Sequence, residues 1–236
     1  MKKLFIILTI VALTTTASFG QFSAKMGLNM ANFTANDGDA ENGIKLGMII
    51  GASYAMERYN DEASLDIAVA FKQSNIKETY EYTIDDVTYK GTYTLTRVNY
   101  LDISPSFSYN VSDAFSLSFG PYLAYAISGK IKIEYDSANV TTTLPSKSIK
   151  FGDGANDDGI KAIDFGINIG AVYSINDAMS VSAGYSSGLT NILSNLLSIN
   201  IDIDDDEKAL LQQLGIDLPS IKNSGFYICV AYTFGG

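Results

Sequence analysis

The sequence predicts an all-β fold, an eight-stranded antiparallel up-and-down barrel that crosses a membrane with its strands. Three observations carry this. The chain opens on a segment laid out like an export signal. Apolar residues then alternate strictly with small or polar ones in eight separate runs, and the connections between runs alternate between short and long.

In the opening segment, Lys2 and Lys3 form a short positive region, and residues 4–13 are apolar apart from Thr9. Ser18 and Gly20 then place small residues ahead of a cleavage before Gln21. This is the layout of a secretory signal peptide over residues 1–20, which leaves 21–236 as one outer-membrane barrel domain. The apolar run falls short of the roughly 20 residues that a spanning helix needs. No later stretch is apolar and long enough to be one.

Composition favours strands: Gly, Ser, Thr, Tyr, Ile and Phe are abundant, and Pro is scarce. Cys229 is the only cysteine, so an intramolecular disulfide is excluded in the oxidising space outside the cytoplasm. The net charge of −10 argues against a nucleic-acid partner, which would want clustered Lys and Arg. The absence of His removes Ser-His-Asp and Cys-His arrangements and the commonest metal ligand.

The eight runs justify the strands in order. Phe22, Ala24, Met26, Leu28 and Met30 share one face of the first, and Ser23, Lys25, Gly27 and Asn29 the other. The second sets Ile44, Leu46, Met48, Ile50, Ala52, Tyr54 and Met56 against Lys45, Gly47, Gly51 and Ser53. The third sets Leu65, Ile67, Val69 and Phe71 against Asp66, Ala68, Ala70 and Lys72. Five more, starting at Leu101, Phe115, Ile163, Met179 and Phe226, keep the same period. A period of two marks half-buried strands and not helices.

Connections 56–64, 110–115 and 174–179 are short and carry turn residues, whereas 34–43, 80–92, 134–159 and 191–224 are longer and more polar. Short turns at one end and long loops at the other are the layout of an outer-membrane barrel. In the last loop, four acidic residues at 204–207 precede Ala209, Leu210, Leu211 and Leu214, and Gly215 follows. Carboxylates suit a helix start and glycine its end, so a short amphipathic helix is expected there, lying on the rim.

Which face meets lipid follows from the minor face, which is rich in Gly, Ser and Ala with a few charges: Lys25, Lys45, Asp66, Lys72, Asp102 and Asp164. A solvent face would carry a dense mixture of Lys and Glu. Small residues suit a tight lumen, where Lys25, Lys45 and Lys72 are expected to pair with Asp66, Asp102 or Asp164. The apolar face carries aromatics near both ends and aliphatics between, as two bilayer interfaces around a hydrocarbon core require. Cys229 alternates onto the lumen face of the last strand, where a small packed side chain is expected.

Several segments resemble the small outer-membrane β-barrel proteins related to PorT, often described as porin family proteins. Asn99-Tyr-Leu-Asp-Ile-Ser-Pro resembles that family's fourth strand and Phe119-Gly-Pro-Tyr-Leu-Ala-Tyr its fifth. Asp164-Phe-Gly-Ile-Asn-Ile-Gly-Ala, with Gly184-Tyr through Gly188-Leu-Thr-Asn-Ile, resembles strands six and seven, and Lys25-Met-Gly-Leu-Asn-Met-Ala-Asn-Phe fits the opening strand. The resemblance implies the barrel fold and the outer membrane. It carries no catalytic residues; one relative is linked to protein secretion. One departure is the end of the chain, where Gly235-Gly236 follow Phe234 in place of the usual terminal aromatic.

The expectation is therefore a non-enzymatic integral outer-membrane protein, acting in surface interaction or envelope structure through its long loops. The alternatives are a transporter or sensor barrel for a small or lipidic ligand, or a component linked to secretion as for PorT. No catalytic, cofactor-binding or metal residues are assigned; the Asp-rich stretch 153–159 misses the spacing of a calcium loop and reads as solvated. Expected partners are outer-membrane lipid, the barrel-assembly machinery during insertion, and an extracellular or periplasmic partner.

Overall fold

The period-two runs become strands longer than the alternation alone marks. The computed structural model describes residues 22–35, 43–60, 62–84, 87–137, 140–143, 145–152, 157–192 and 221–234. Its strands are β1 (Phe22–Ala35), β2 (Gly43–Asn60), β3 (Ala63–Ile84), β4 (Val87–Ser112) and β5 (Phe115–Ser137). Two short strands follow, β6 (Val140–Thr143) and β7 (Lys147–Ser148), then β8 (Ile163–Ser174), β9 (Met179–Asn191) and β10 (Ile221–Phe234).

The eight long strands each pair antiparallel with their neighbours along the chain, β5 pairing β8 across the insertion that carries β6 and β7. Antiparallel pairing of β10 with β1, from Phe22↔Phe234 to Ala35↔Ile221, closes the barrel and leaves the membrane portion no open edge. This is the expected eight-stranded up-and-down barrel. At ~3.3 Å per residue and ~40° of tilt, the 12 residues of β8 cover roughly 30 Å of height, enough for the apolar band of a bilayer.

Exposure is inverted relative to a water-soluble protein. Ile169 is 64% exposed on the outside, whereas Asp164 on the same strand is 1% exposed inside. Met26, Phe119, Leu123, Ile167 and Phe226 are likewise exposed, and Asn29, Asp102, Ser104 and Ser186 are buried. Cross-strand aromatic pairs stud the outer wall: Phe22–Phe234 at the strand ends by the short turns, and Phe107–Phe119 and Tyr185–Phe226 in one register row on either side of Ile169.

The β4–β5 ladder lapses between Ile103↔Leu123 and Phe107↔Phe119. That stretch holds Pro105 and Pro121, which have no N–H to give. Higher up, β3 shifts register between Ser74 and Ile76 and β4 between Thr96 and Asn99, where Arg97 takes a positive φ of 53°. The Asn75 side chain repairs the bulge: its Oδ1 accepts from Arg97 N at 2.6 Å and its Nδ2 donates to Leu46 O at 2.7 Å.

Two expected loops are corrected. Residues 80–92 are not a loop, because β3 and β4 continue as a hairpin interrupted only at 85–86. The polar Thr, Lys and Glu there look loop-like, but they alternate with Tyr, and β-branched and aromatic residues hold a strand outside the membrane as well as in it. Much of 134–159 is also strand, since β5 runs to Ser137 and β6 and β7 fold back on it. The short turns are as expected; in one, Asn176 Oδ1 accepts from the N–H groups of Ala178 and Met179 at 3.0 and 2.8 Å. The helix expected at 204–214 lies outside the described residues.

Candidate functional site

The lumen has three levels. Next to the short turns lies a cavity of about 310 Å³ with a wall dominated by serine, including Ser23, Ser53, Ser64, Ser108, Ser116 and Ser180. Lys25, Asp66, Lys72, Asp102 and Cys229 also line it. Serine is small enough for an eight-stranded interior and offers a donor as well as acceptors. Those hydroxyls serve the carboxylates. Asp66 accepts from Ser64 at 3.1 Å and from Ser108 at 3.4 Å, and Asp102 accepts from Ser104 in a short hydrogen bond.

Above the chamber a polar layer crosses the barrel. Lys72 Nζ donates to Ser186 Oγ at 3.3 Å and lies 5.4 Å over the Tyr122 ring. Ser186 in turn donates to Asn168 Oδ1 at 2.7 Å. Asp164 Oδ2 accepts from the Tyr122 hydroxyl at 3.0 Å and from Asn223 Nδ2 at 3.2 Å, while Asn29 Nδ2 donates to Gln73 O and Ser74 Oγ, each at 3.1 Å.

Glycines make the space for the rings in this layer. A Cβ on Gly166 would fall 2.7 Å from Tyr122 Cζ, and one on Gly170 would fall 2.6 Å from the Tyr227 hydroxyl. Gly166, Gly170 and Gly184 are thus the floor on which Tyr122 and Tyr227 lie.

The outer level is an apolar plug. Ile149 and Ile160, from the segment between β5 and β8, pack with Val98, Tyr100, Tyr122, Ala124 and Ala126, and Phe151 sits against them. Ile149 N–H donates to Gly129 O at 2.9 Å, and Lys161 N–H to Ile192 O at 2.8 Å. Lys147 and Asp158 tie the neck of this segment at 2.6 Å, and Asp158 also accepts from the Lys150 N–H at 2.8 Å. Burial pushes the Asp158 carboxyl up, but these bonds and the charges of Lys147 and Lys150 outweigh it and hold the group below the usual carboxylate range. Gly159 supports the bend with a positive φ of 68°.

The expected lumen charges face inward as read, but their pairing is corrected. Lys72 makes no contact ion pair with Asp102 or Asp164; it reaches Ser186 instead and feels both carboxylates at longer range. Lys25 makes no hydrogen bond or ion pair among the described residues. These lysines and acids line one chamber, but serine hydroxyls meet Asp66 and Asp102. The Lys45 side chain and residues 153–156 lie outside what is described. Cys229 is buried against Ile49 and Ala70, as expected. The plug was not anticipated, although the alternation of Ile149 and Phe151 in a polar stretch was its visible trace.

No curated protein matches the chain. Among solved structures, it is similar to the attachment invasion locus protein Ail of Yersinia pestis, at 10% identity and a TM-score of 0.39, covering 91% of this chain and 99% of Ail. It is similar to Neisserial surface protein A at 13% identity and a TM-score of 0.44, covering 92% and 98%. It also matches the translocator domain of the autotransporter NalP from Neisseria meningitidis at 10% identity and a TM-score of 0.32, covering 98% and 96%. The sequence profile of the family described as outer membrane protein beta-barrel domain matches residues 18–194, well over half of the chain and seven of its eight barrel strands. The chain belongs to that family of outer-membrane β-barrels.

Proposed function

We propose that the protein is a non-enzymatic integral outer-membrane barrel that acts through the sheet it raises beyond the membrane, in surface interaction or envelope organisation. The observation that carries this reading is the overshoot of β3, β4 and β5, which run for 22, 26 and 23 residues against 12 in β8. Beyond the bulge the sequence of these strands is rich in tyrosine: Tyr80, Tyr82, Tyr89, Tyr93 and Tyr135. Tyrosine offers large contact area at low conformational cost, which is the composition of binding surfaces.

In this reading the signal peptide is cleaved before Gln21, the assembly machinery inserts the barrel, the long strands point out of the cell and the short turns face the periplasm. The strand motifs around Asn99, Phe119 and Asp164 support a place among the PorT-related barrels, and with it the alternative of a role linked to protein secretion.

The test is to replace residues 79–92 by an Asn-Gly turn, which keeps the pairing of Glu78 with Tyr93. The trimmed protein should still fold to a heat-modifiable barrel, yet fail to restore the surface phenotype of a deletion strain. Protease shaving of intact cells should cut the wild-type protein within that hairpin. Full restoration by the trimmed protein, or cleavage confined to the Asn176-Asp177 turn, would overturn the reading.

A further inference from the structure

We propose that the lumen chamber is a binding site for a small oxyanion, a phosphate or carboxylate on a polar solute, held between Lys25 and Lys72. This goes beyond the outward-facing role above; only the side of access, through the short-turn rim, rests on that reading.

The first support is an imbalance of satisfied groups. The two carboxylates that line the chamber are served by hydroxyls, Asp66 by Ser64 and Ser108, and Asp102 by Ser104. The two ammonium groups are not served in the same way. Each carries three donors. Lys72 uses one on Ser186, and Lys25 uses none among the described residues. The strand neighbours of Lys25 explain this: register sets it beside Gly51 and Ala231, which have nothing to offer an ammonium.

The second support is local field. Lys25 and Lys72 both act on the Cys229 sulfur, with which they line the chamber. Lys72 feels Asp102 and Asp164 first and Lys25 after them. The lysines, unlike the carboxylates, keep donors unused, and two such ammonium groups that meet at one sulfur form a cradle for an anion.

The third support is room. The cavity of about 310 Å³ runs from Lys72, Asn168 and Cys229 down to Ser64, Ser108 and Asn110 at the rim. At ~30 Å³ per water it has space for roughly ten waters or one small organic acid or sugar phosphate. The serine wall would hydrogen-bond the hydroxyls of such a solute. The layer of Tyr122 and Asp164 above makes the site blind, so a solute enters and leaves by the same mouth.

Cys229, the only cysteine in the chain, lines the chamber and reports on it. Purified protein in zwitterionic micelles is treated with methanethiosulfonate reagents of opposite charge. The anionic reagent should modify Cys229 about tenfold faster than the cationic one, as expected for two nearby ammonium charges. Millimolar inorganic phosphate should slow the modification and glucose should not. Lys25→Gln and Lys72→Met should each reduce both the charge preference and the protection; if a variant does not fold, the order of wild-type rates still decides. Equal rates, a faster cationic reagent, or phosphate protection that survives both substitutions would overturn the site. Where neither reagent reaches the thiol, calorimetry with phosphate decides, and absence of binding heat overturns it. Labelling of intact cells by an impermeant reagent would overturn the assigned topology while leaving the site standing.

Discussion

A charge on the outer wall separates a lipid-facing surface from a water-facing one. Ile169 lies midway along β8, paired with Phe119 on one side and Tyr185 on the other, and is 64% exposed. If that surface meets hydrocarbon, Ile169→Arg places a guanidinium near the bilayer midplane, at a cost of about 2–4 kcal/mol. The same substitution at Ile163 or Ile175, near the two ends of the strand, should cost about 0–1 kcal/mol, because the side chain reaches headgroups. At 1.4 kcal/mol per factor of ten, the midplane variant loses roughly thirty- to a thousandfold in its folding equilibrium. The assay is reversible folding into phosphatidylcholine vesicles under denaturant, with arginine carried along positions 163, 167, 169 and 175. The reasoning requires a profile peaked at 167 and 169. In water, arginine would merely replace an exposed apolar side chain, so a flat profile, or an Ile169→Arg variant as stable as wild type, would refute a lipid-facing wall.

Other predictions concern the interior. Gly170→Ala would set a methyl 2.6 Å from the Tyr227 hydroxyl and 2.9 Å from Ala183 O, so it should destabilise by about 1–3 kcal/mol, with partial relief from Tyr227→Phe; urea titration of the single and double variants measures this, and an unchanged midpoint for Gly170→Ala counts against the packing. The Asp158 carboxyl is held below its usual range, so its hold on the plug is full at neutral pH and is lost as pH falls through its folded-state value. Protection of the Ile149 and Gly152 amides, taken relative to intrinsic exchange at each pH, should therefore fall in acid, and Asp158→Asn should lower it at neutral pH with that dependence gone. Because Tyr122, Asp164 and the plug close the lumen above the chamber, purified protein in planar bilayers should show no large stable currents; such currents would mean that the closed interior is wrong.

The wall was legible because lipid imposes one requirement on every strand. A period of two needs no knowledge of which strands are neighbours, so Met26, Ile169 and Phe226 could be assigned outward individually. Alternating connection lengths then supplied the up-and-down order. The reading failed where polarity was taken as a sign of loop. Outside the bilayer a strand no longer needs an apolar face, and the Thr- and Tyr-rich run from Lys77 to Thr94 pairs through its backbone just as the membrane part does. Polarity marked where the apolar band ends and said nothing of where the strand ends.

Inside the barrel, alternation tells which residues face in but not how high they stand. Pairing between lumen side chains depends on register and shear accumulated over several strands, and a bulge such as that at Arg97 alters both. Lys72 and Asp164 were each correctly placed inward, yet nothing in the chain shows that Ser186 stands closer to the ammonium than the carboxylate does, or that Tyr122 and Asn223 claim Asp164 first. Serine is the residue that changes the outcome. It is small enough to recur on every strand, so Asp66 and Asp102 find serine hydroxyls without a lysine contact. A serine-rich interior therefore uncouples acids from bases, and the base set beside Gly51 and Ala231 remains open to a ligand from outside.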